Sequence, residues 1–304
     1  MTTLSDLTEH LESLIEHVPD TTEVLELTPP TAEESTRRTG AVIDMVGAVT
    51  GLDVTQGKRE LSEARVVIRL PEGGRAVTFL ASGALVIKAG IDPFADLFEA
   101  DPGDEELTTS LTGWQEKLRI SELFPSQDRL DFERLWRIKA AGSDREGTFS
   151  DPVLCRAIGA FRHSVRDLPV HGRASATVEM TGGGRLASMS ISTRRFADGA
   201  DAVIARARSR APGDAAQEVV KRLARSLSGQ QQDATLEVQS FEFGYLSLSR
   251  RRPQSVLAPV YLAAVTVSGT KEQERSAHVI AVAGSEDQYL RLPGGVAAGS
   301  NPRR

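Results

Sequence analysis

The most informative part of the sequence is Gly172-Arg-Ala-Ser-Ala-Thr-Val-Glu-Met-Thr181, followed by Gly182-Gly-Gly184 and Arg185-Leu-Ala-Ser-Met-Ser-Ile-Ser-Thr-Arg-Arg195. On both sides of the three glycines, apolar and polar side chains alternate one by one. Period-two alternation around a glycine turn is typical of a β-hairpin with one buried face. We therefore predict two antiparallel strands, with Val178, Met189 and Ile191 facing a core.

Nearer the N-terminus, a helix precedes a similar set of strands. Thr31 followed three residues later by Glu34 is a capping box, which predicts that a helix begins at Thr31. Short β-branched runs separated by glycine-containing turns then predict a meander. Its three strand candidates are residues 65–70, 75–81 and 84–88.

The same order returns twice downstream. Helical patterning around 105–124 precedes extended runs, and the clearest helix, at 214–227, precedes three more strand candidates. The extended runs are residues 132–140, 154–166, 236–249, 256–267 and 277–283. We predict an α+β fold in which a unit of one helix and an antiparallel meander occurs two or three times.

A chain of 304 residues is longer than one typical domain, so more than one core is expected. The acidic run Glu99-Ala-Asp-Pro-Gly-Asp-Glu-Glu106 marks a change in composition and predicts a linker. The predicted divisions are an N-terminal amphipathic helix with its linker (1–30), a helix-meander domain (31–98), the acidic linker (99–106), a larger α+β domain (107–293) and a disordered tail (294–304).

Several short phrases resemble the PepSY-like and YycI-like domains of bacteria. They are Asp167-Leu-Pro-Val-His-Gly172 with the glycine turn that follows, Leu257-Ala-Pro-Val-Tyr261, and Ala81-Ser-Gly-Ala84. In that group, one helix packs across a curved antiparallel sheet, as in cystatins. The resemblance implies a regulatory or inhibitory binding module that has no catalytic residues and usually acts outside the cytoplasm.

Charge and hydropathy narrow the expected partners. The net charge of −6 gives no general attraction to phosphate backbones or anionic membranes, so we expect no nucleic-acid partner. No apolar run approaches the roughly 20 residues that span a bilayer, so no membrane insertion is expected. The first 18 residues lack the apolar core of a signal peptide, which predicts a cytoplasmic location and leaves leaderless export open.

The residues that carry chemistry are scattered. None of the five histidines is spaced for a metal pair, and Cys155 is the single cysteine. We predict no cofactor, no metal and no catalytic residue. The alternative is a small-molecule-binding or enzymatic domain with a site near His163 and His171. Nucleophilic catalysis there would use either Cys155 with His163, or a serine with His163 and Asp167.

Two groups of residues are candidates for interaction. Leucines at three- and four-residue spacing form an apolar stripe that fits a partner helix or the chain itself: Leu4, Leu7, Leu11 and Leu14. Arg250, Arg251 and Arg252 form either a positive patch, a solvated face or a contact with the acidic linker. We predict a non-enzymatic regulatory or structural module that binds another protein, or itself, by surface recognition.

Overall fold

The computed structural model describes residues 6–54, 57–125, 128–173, 175–197, 202–227, 235–268 and 275–292, and the backbone of 296–298. The contacts within the chain divide it into two compact units. Unit 1 consists of Met1–Leu27, Phe196–Leu246 and Val256–Arg304, and unit 2 consists of Thr28–Arg195 and Ser247–Ser255.

The helices within the described residues are α1 (Leu7–Ser13), α2 (Ala32–Thr50), α3 (Asp104–Lys117) and α4 (Pro212–Leu227). The strands are β1 (Thr21–Glu26), β2 (Lys58–Leu61), β3 (Arg65–Arg69), β4 (Arg75–Phe79), β5 (Ala84–Lys88), β6 (Arg129–Ala140), β7 (Val153–Val165), β8 (Leu168–His171), β9 (Ala176–Met180), β10 (Leu186–Ile191), β11 (Val203–Arg208), β12 (Thr235–Leu246), β13 (Val256–Leu257), β14 (Pro259–Ser268), β15 (Arg275–Ala283) and β16 (Val296–Ala298). The strand pairs described below are antiparallel, and the predicted α+β class is confirmed.

Unit 2 is built on one antiparallel sheet in the order β7-β9-β10-β5-β4-β3-β2. Strand β7 also pairs with β6 along its other edge and with β8 near its end. Helix α2 contacts β3 and β4, and α3 contacts β6, β7 and β9, so both helices cover one face. Val178, Met189 and Ile191 lie in the core beneath them and are at most 1% exposed, which confirms the predicted hairpin register.

The capping box of α2 is confirmed. The Thr31 hydroxyl accepts a hydrogen bond from the Glu34 backbone N–H (3.1 Å), and the Glu34 carboxylate accepts one from the Thr31 backbone N–H (2.9 Å). This backbone hydrogen bond, followed by the one from Arg195, lowers the pKa of Glu34 to about 2. The helix ends at Thr50, and the next residue, Gly51, has a φ of 73°. This left-handed conformation is typical of the glycine that follows a helix.

Unit 1 combines two sheets with α1 and α4. In one sheet β1 lies between β11 and β13, and in the other the order is β12-β14-β15-β16. Helix α4 packs on β15, and α1 packs on α4 and β12. Within the described residues, no helix has the length and the apolar character needed to cross a membrane.

The compact units have different bounds from the predicted domains. Strand β5 pairs with β10 (Ile87 opposite Met189), so the predicted domain 31–98 shares its sheet with strands that follow the acidic run. The run itself belongs to unit 2, where Asp101 and Asp104 form ion pairs with Arg137 of β6. Of the predicted disordered tail, residues 296–298 pair with β15, and residues 294–295 and 299–304 lie outside the described part.

The buried side chain of Tyr261 makes the stability of unit 1 depend on pH at alkaline values. Its ring contacts the rings of Phe241 and Phe243, and its hydroxyl donates to the Arg210 carbonyl at 2.7 Å. Burial raises the pKa of Tyr261 to about 12 from an ordinary value of 10.0. Because folding favours the protonated phenol, its contribution is complete below pH 10 and is lost as the pH rises from 10 to 12.

We expect Tyr261→Phe to lower the free energy of unfolding by about 1 kcal/mol at neutral pH, since one buried hydrogen bond is lost. The variant should also lack the part of the alkaline destabilisation that Tyr261 causes. Urea denaturation of both proteins between pH 8 and 12 measures both effects. An unchanged alkaline slope in the variant would contradict the assignment.

Candidate functional site

The sheet of unit 2 has a second face, which we call the outer face, on the side opposite α2 and α3. Side chains alternate across a strand, so each strand contributes every second residue to each face. Val66, Ala76 and Ile87 point to the helices and are at most 2% exposed. Their neighbours along β3, β4 and β5 therefore point outward, where no helix of unit 2 covers the described residues.

Four basic residues cross the outer face in one row. They stand directly opposite one another on β2, β3, β4 and β5, and we call them the basic ladder: Lys58, Arg69, Arg75 and Lys88. Like charges at directly opposite positions destabilise an antiparallel sheet. Within the described residues, the ladder has one ion pair, between Arg69 and Glu60 at 2.8 Å. The row therefore costs stability, and such a local conflict is expected at functional sites.

Glu60 is surrounded by cations. Its pKa is lowered, first by the hydrogen bond and charge of Arg69 and further by Lys58 and Arg65. Arg65 is the outward residue at the other end of β3. One carboxylate thus faces several cations at this end of the outer face, and the local charge is strongly positive although the chain is acidic.

A row of small and β-branched side chains runs beside the ladder. Val67, Val77 and Val86 stand opposite one another, are half-buried, and form what we call the valine row. Ser190 and Thr177 continue it across β10 and β9, with their hydroxyl oxygens 2.7 Å apart. A groove of about 290 Å³ lies here, and its lining combines arginines of the basic end with Val67 and Val77.

The opposite end of the outer face exposes two large apolar side chains. Trp136 and Ile138 of β6 are 40% and 43% exposed, and Trp136 stands opposite Ile158 of β7. Among the described residues β6 pairs only with β7, so its other edge has no strand partner. Exposed aromatic side chains beside an unpaired strand edge are typical of protein-interaction surfaces.

The structure places the predicted arginine cluster at the outer face as well. The Arg250 guanidinium lies 4.5 Å from the ring centroid of Phe79, which is the outward residue at the end of β4. Burial lowers the pKa of Arg250, and the charges of Arg173 and Arg251 lower it further. Arg251 and Arg252 are exposed. Arg173, which sequence reasoning missed, therefore belongs to the same cluster.

Arg194 holds the segment that carries this cluster. Its guanidinium donates to the carbonyls of Leu248 (3.0 Å) and Arg252 (3.1 Å), and burial lowers its pKa to about 10. The Ser82 hydroxyl donates to the Arg250 carbonyl at 2.8 Å. Arg194 and Ser82 thus hold the backbone carbonyls of this segment, while the side chains of Arg251 and Arg252 remain exposed to solvent.

The leucine stripe serves unit 1 itself. Leu7 and Leu11 are fully buried, because α1 packs on α4 and β12. Leu14 is 41% exposed, and Leu4 lies outside the described residues. Since Leu7 and Leu11 are covered by their own chain, they cannot also contact a partner in this conformation.

His163 has different neighbours from those expected. Its Nδ1 lies 3.1 Å from the Ser175 hydroxyl, which also accepts the His163 backbone N–H, and its Nε2 lies 3.3 Å from an Asp128 carboxylate oxygen. Asp167, the predicted third member, lies in the turn between β7 and β8 with a φ of 65°. The His163 and Asp128 side chains are 5% and 1% exposed. This burial keeps a substrate away from the three groups.

The other candidates for chemistry are also buried: His171 is 1% exposed, and Cys155 is buried near the start of β7.

A separate cleft of about 330 Å³ lies at the end of α2, with Val46, Ile87 and Leu186 in its lining and Trp114 at one side. Neither His163 nor His171 lines it. The described residues contain no group of three His, Cys, Asp or Glu side chains that could hold a metal ion.

The sequence contained a signal for the basic ladder. In the strands 65–69, 75–79 and 84–88, the positions that alternate with the buried residues include a cation at one or both ends of the strand. Each strand on its own resembles an ordinary solvated strand. Only the register, which places these ends opposite one another, makes the row visible.

Comparison with known proteins supports the fold alone. No family model and no curated protein matches the chain. The chain is similar to the crystal structure of an uncharacterized protein from Eubacterium rectale ATCC 33656, with a TM-score of 0.56 and 8% sequence identity. The similarity covers 91% of this chain and 88% of that one. At this identity, the two proteins share an α+β architecture, and the likeness carries no further conclusion.

Proposed function

We propose that this chain is a non-enzymatic regulatory or structural module that binds another protein through the outer face of unit 2. The observation that carries the proposal is the pair of exposed apolar side chains at one end of that face. Trp136 and Ile138 are 40% and 43% exposed beside an edge strand of 12 residues. Tryptophan is enriched among the residues that dominate binding energy in protein interfaces.

The size of the groove on the outer face also favours a macromolecular partner. Its volume of about 290 Å³ is at the lower limit of small-molecule sites, which measure about 300–1,000 Å³ and enclose most of the ligand. The alternative is an enzymatic site at His163, and the contacts of His163 with Ser175 and Asp128 are the observation in its favour. Against it stands the burial of all three side chains, which catalysis would have to open.

We also infer that the helix-meander unit is repeated, as in the PepSY-like architecture. The support is the order of elements: α2 precedes β2 to β5, α3 precedes β6 to β10, and α4 precedes β12 to β16. A cytoplasmic location belongs to the same proposal. Fractionation of the native host tests that location directly.

The proposed function predicts that Trp136→Glu abolishes partner capture without unfolding the protein. A charge at a 40% exposed position keeps its solvation, so the fold should tolerate it, whereas an apolar partner surface should reject it. Tagged wild-type and variant chains are expressed in the native host, crosslinked and compared by quantitative mass spectrometry. We expect the proteins captured by the wild type to fall at least about tenfold with the variant, which is about 1.4 kcal/mol.

Phe94→Glu is the matched control, because Phe94 is 70% exposed and lies outside the strands of the outer face. It should capture the same proteins as the wild type. Equal capture by Trp136→Glu and the wild type would contradict the proposal. A folded Ser175→Ala protein that loses cellular activity, while Trp136→Glu keeps it, would favour the enzymatic alternative.

A further inference from the structure

We propose that the basic ladder and the valine row together bind an extended segment of the partner in which acidic and aliphatic residues alternate. This inference rests on the proposed function and specifies the chemistry of the partner. It starts from the arrangement of the charges, which is unfavourable for the isolated protein. Arg75 stands opposite both Arg69 and Lys88, and within the described residues only Arg69 of these three has an ion pair, with Glu60.

The dimensions of the site determine the form of the segment. Neighbouring strands are about 4.8 Å apart, so the ladder extends over about 14 Å across the sheet. An extended segment covers this distance with about four or five residues. The valine row lies two residues further along each strand, about 7 Å from the ladder.

A segment that runs between the two rows turns successive side chains to opposite sides. Its carboxylates then face the basic ladder, and its aliphatic side chains face Val67, Val77 and Val86. Lysine and arginine side chains are long and flexible enough to follow the spacing of the carboxylates. Charge complementarity with a net positive row thus selects an acidic partner, and the valines select against a purely polar one.

The same residues disfavour a nucleic acid. Proteins that bind single strands combine a basic groove with aromatic platforms for the bases. The ladder and the valine row contain no aromatic side chain, and Arg250 covers the nearby Phe79. The net charge of −6 also weakens the attraction for a polyanion as a whole.

Arg75→Glu separates binding from structure. The substitution places a carboxylate between Arg69 and Lys88, so the resistance to urea should be unchanged or increased. The affinity for an acidic segment should fall, because the new carboxylate repels it. The probe is a fluorescein-labelled peptide of alternating Glu and Val, about eight residues long, and fluorescence anisotropy with the full chain measures its affinity.

We expect the peptide to bind the wild type, to bind more weakly as salt is added, and to lose at least about tenfold in affinity with Arg75→Glu. Arg37→Glu, an exposed charge reversal on α2, is the matched control and should bind like the wild type. A folded Arg75→Glu protein with wild-type affinity would overturn the inference. So would a wild type that does not bind the peptide, or one that binds oligothymidylate or inorganic phosphate more tightly.

The Trp136→Glu and Arg75→Glu experiments distinguish a failure of the proposed function from a failure of the acidic-segment inference. If Trp136→Glu loses its captured proteins while Arg75→Glu keeps both those proteins and the peptide, the proposed function stands and the acidic segment is wrong. If both variants capture the wild-type proteins, the proposed function itself fails.

Discussion

Val178→Asp should unfold unit 2, because it places a carboxylate in the middle of the core between the sheet and its helices. Val178 is fully buried, and its pairing partner Met189 is 1% exposed. Loss of a buried valine costs about 1.5–3 kcal/mol, and an unpaired buried charge adds several kcal/mol. The sum approaches the total stability of a typical domain, about 5–15 kcal/mol.

Thr177→Asp, one residue away, is the control. Thr177 points to the outer face, where it is half-buried and contacts Ser190. A carboxylate there stays solvated, so we expect a loss of less than about 1 kcal/mol. Urea denaturation, followed by circular dichroism, measures both variants. If the two variants were equally stable, the register of the hairpin would be wrong.

Gly172→Ala should cost about 3 kcal/mol or more for two independent reasons. Its φ of 118° is a conformation that residues with a side chain rarely adopt. A Cβ atom at this position would also lie 2.3 Å from the Ser247 carbonyl oxygen, which is backbone and cannot rotate away. Either the turn before β9 or the segment 247–255 must move.

The movement should also expose the arginine cluster. Since Ser247–Ser255 carries Arg250 to Arg252, trypsin should cut there faster in Gly172→Ala than in the wild type. Gly113→Ala is the control, because no atom lies within 4 Å of its Cβ position and the residue is inside α3. That substitution should stabilise the protein by about 0.5–1 kcal/mol. Equal urea midpoints for the two variants would contradict the close approach of Gly172 and Ser247.

Local patterns predicted the elements well. The capping box at Thr31 places the start of α2, and the alternation around Gly182 places the β9–β10 hairpin with the correct faces. Both signals depend on residues that are close in the chain, where backbone geometry directly relates spacing to direction. The PepSY-like resemblance and the repeat of helix-meander units stay predictions.

The domain bounds could not be read in the same way. The acidic run at 99–106 suggested a linker between domains, but Arg137 and Lys139 of β6 pair with its aspartates. The cations that neutralise this run lie more than thirty residues away in the chain. Composition cannot identify such partners, because the energy depends on the distance between charges in space.

Alternation along the sequence indicates which side chains of a regular strand share a face, and the order of helical and extended patterns indicates an α+β fold. What each face does follows from the packing of the whole chain. That packing buries Leu7 and Leu11 against their own chain and encloses His163 beside Asp128, and it aligns the four residues of the basic ladder in one row. The reason is that alternation is a property of one strand, whereas register and packing are chosen by the burial and pairing of several strands together.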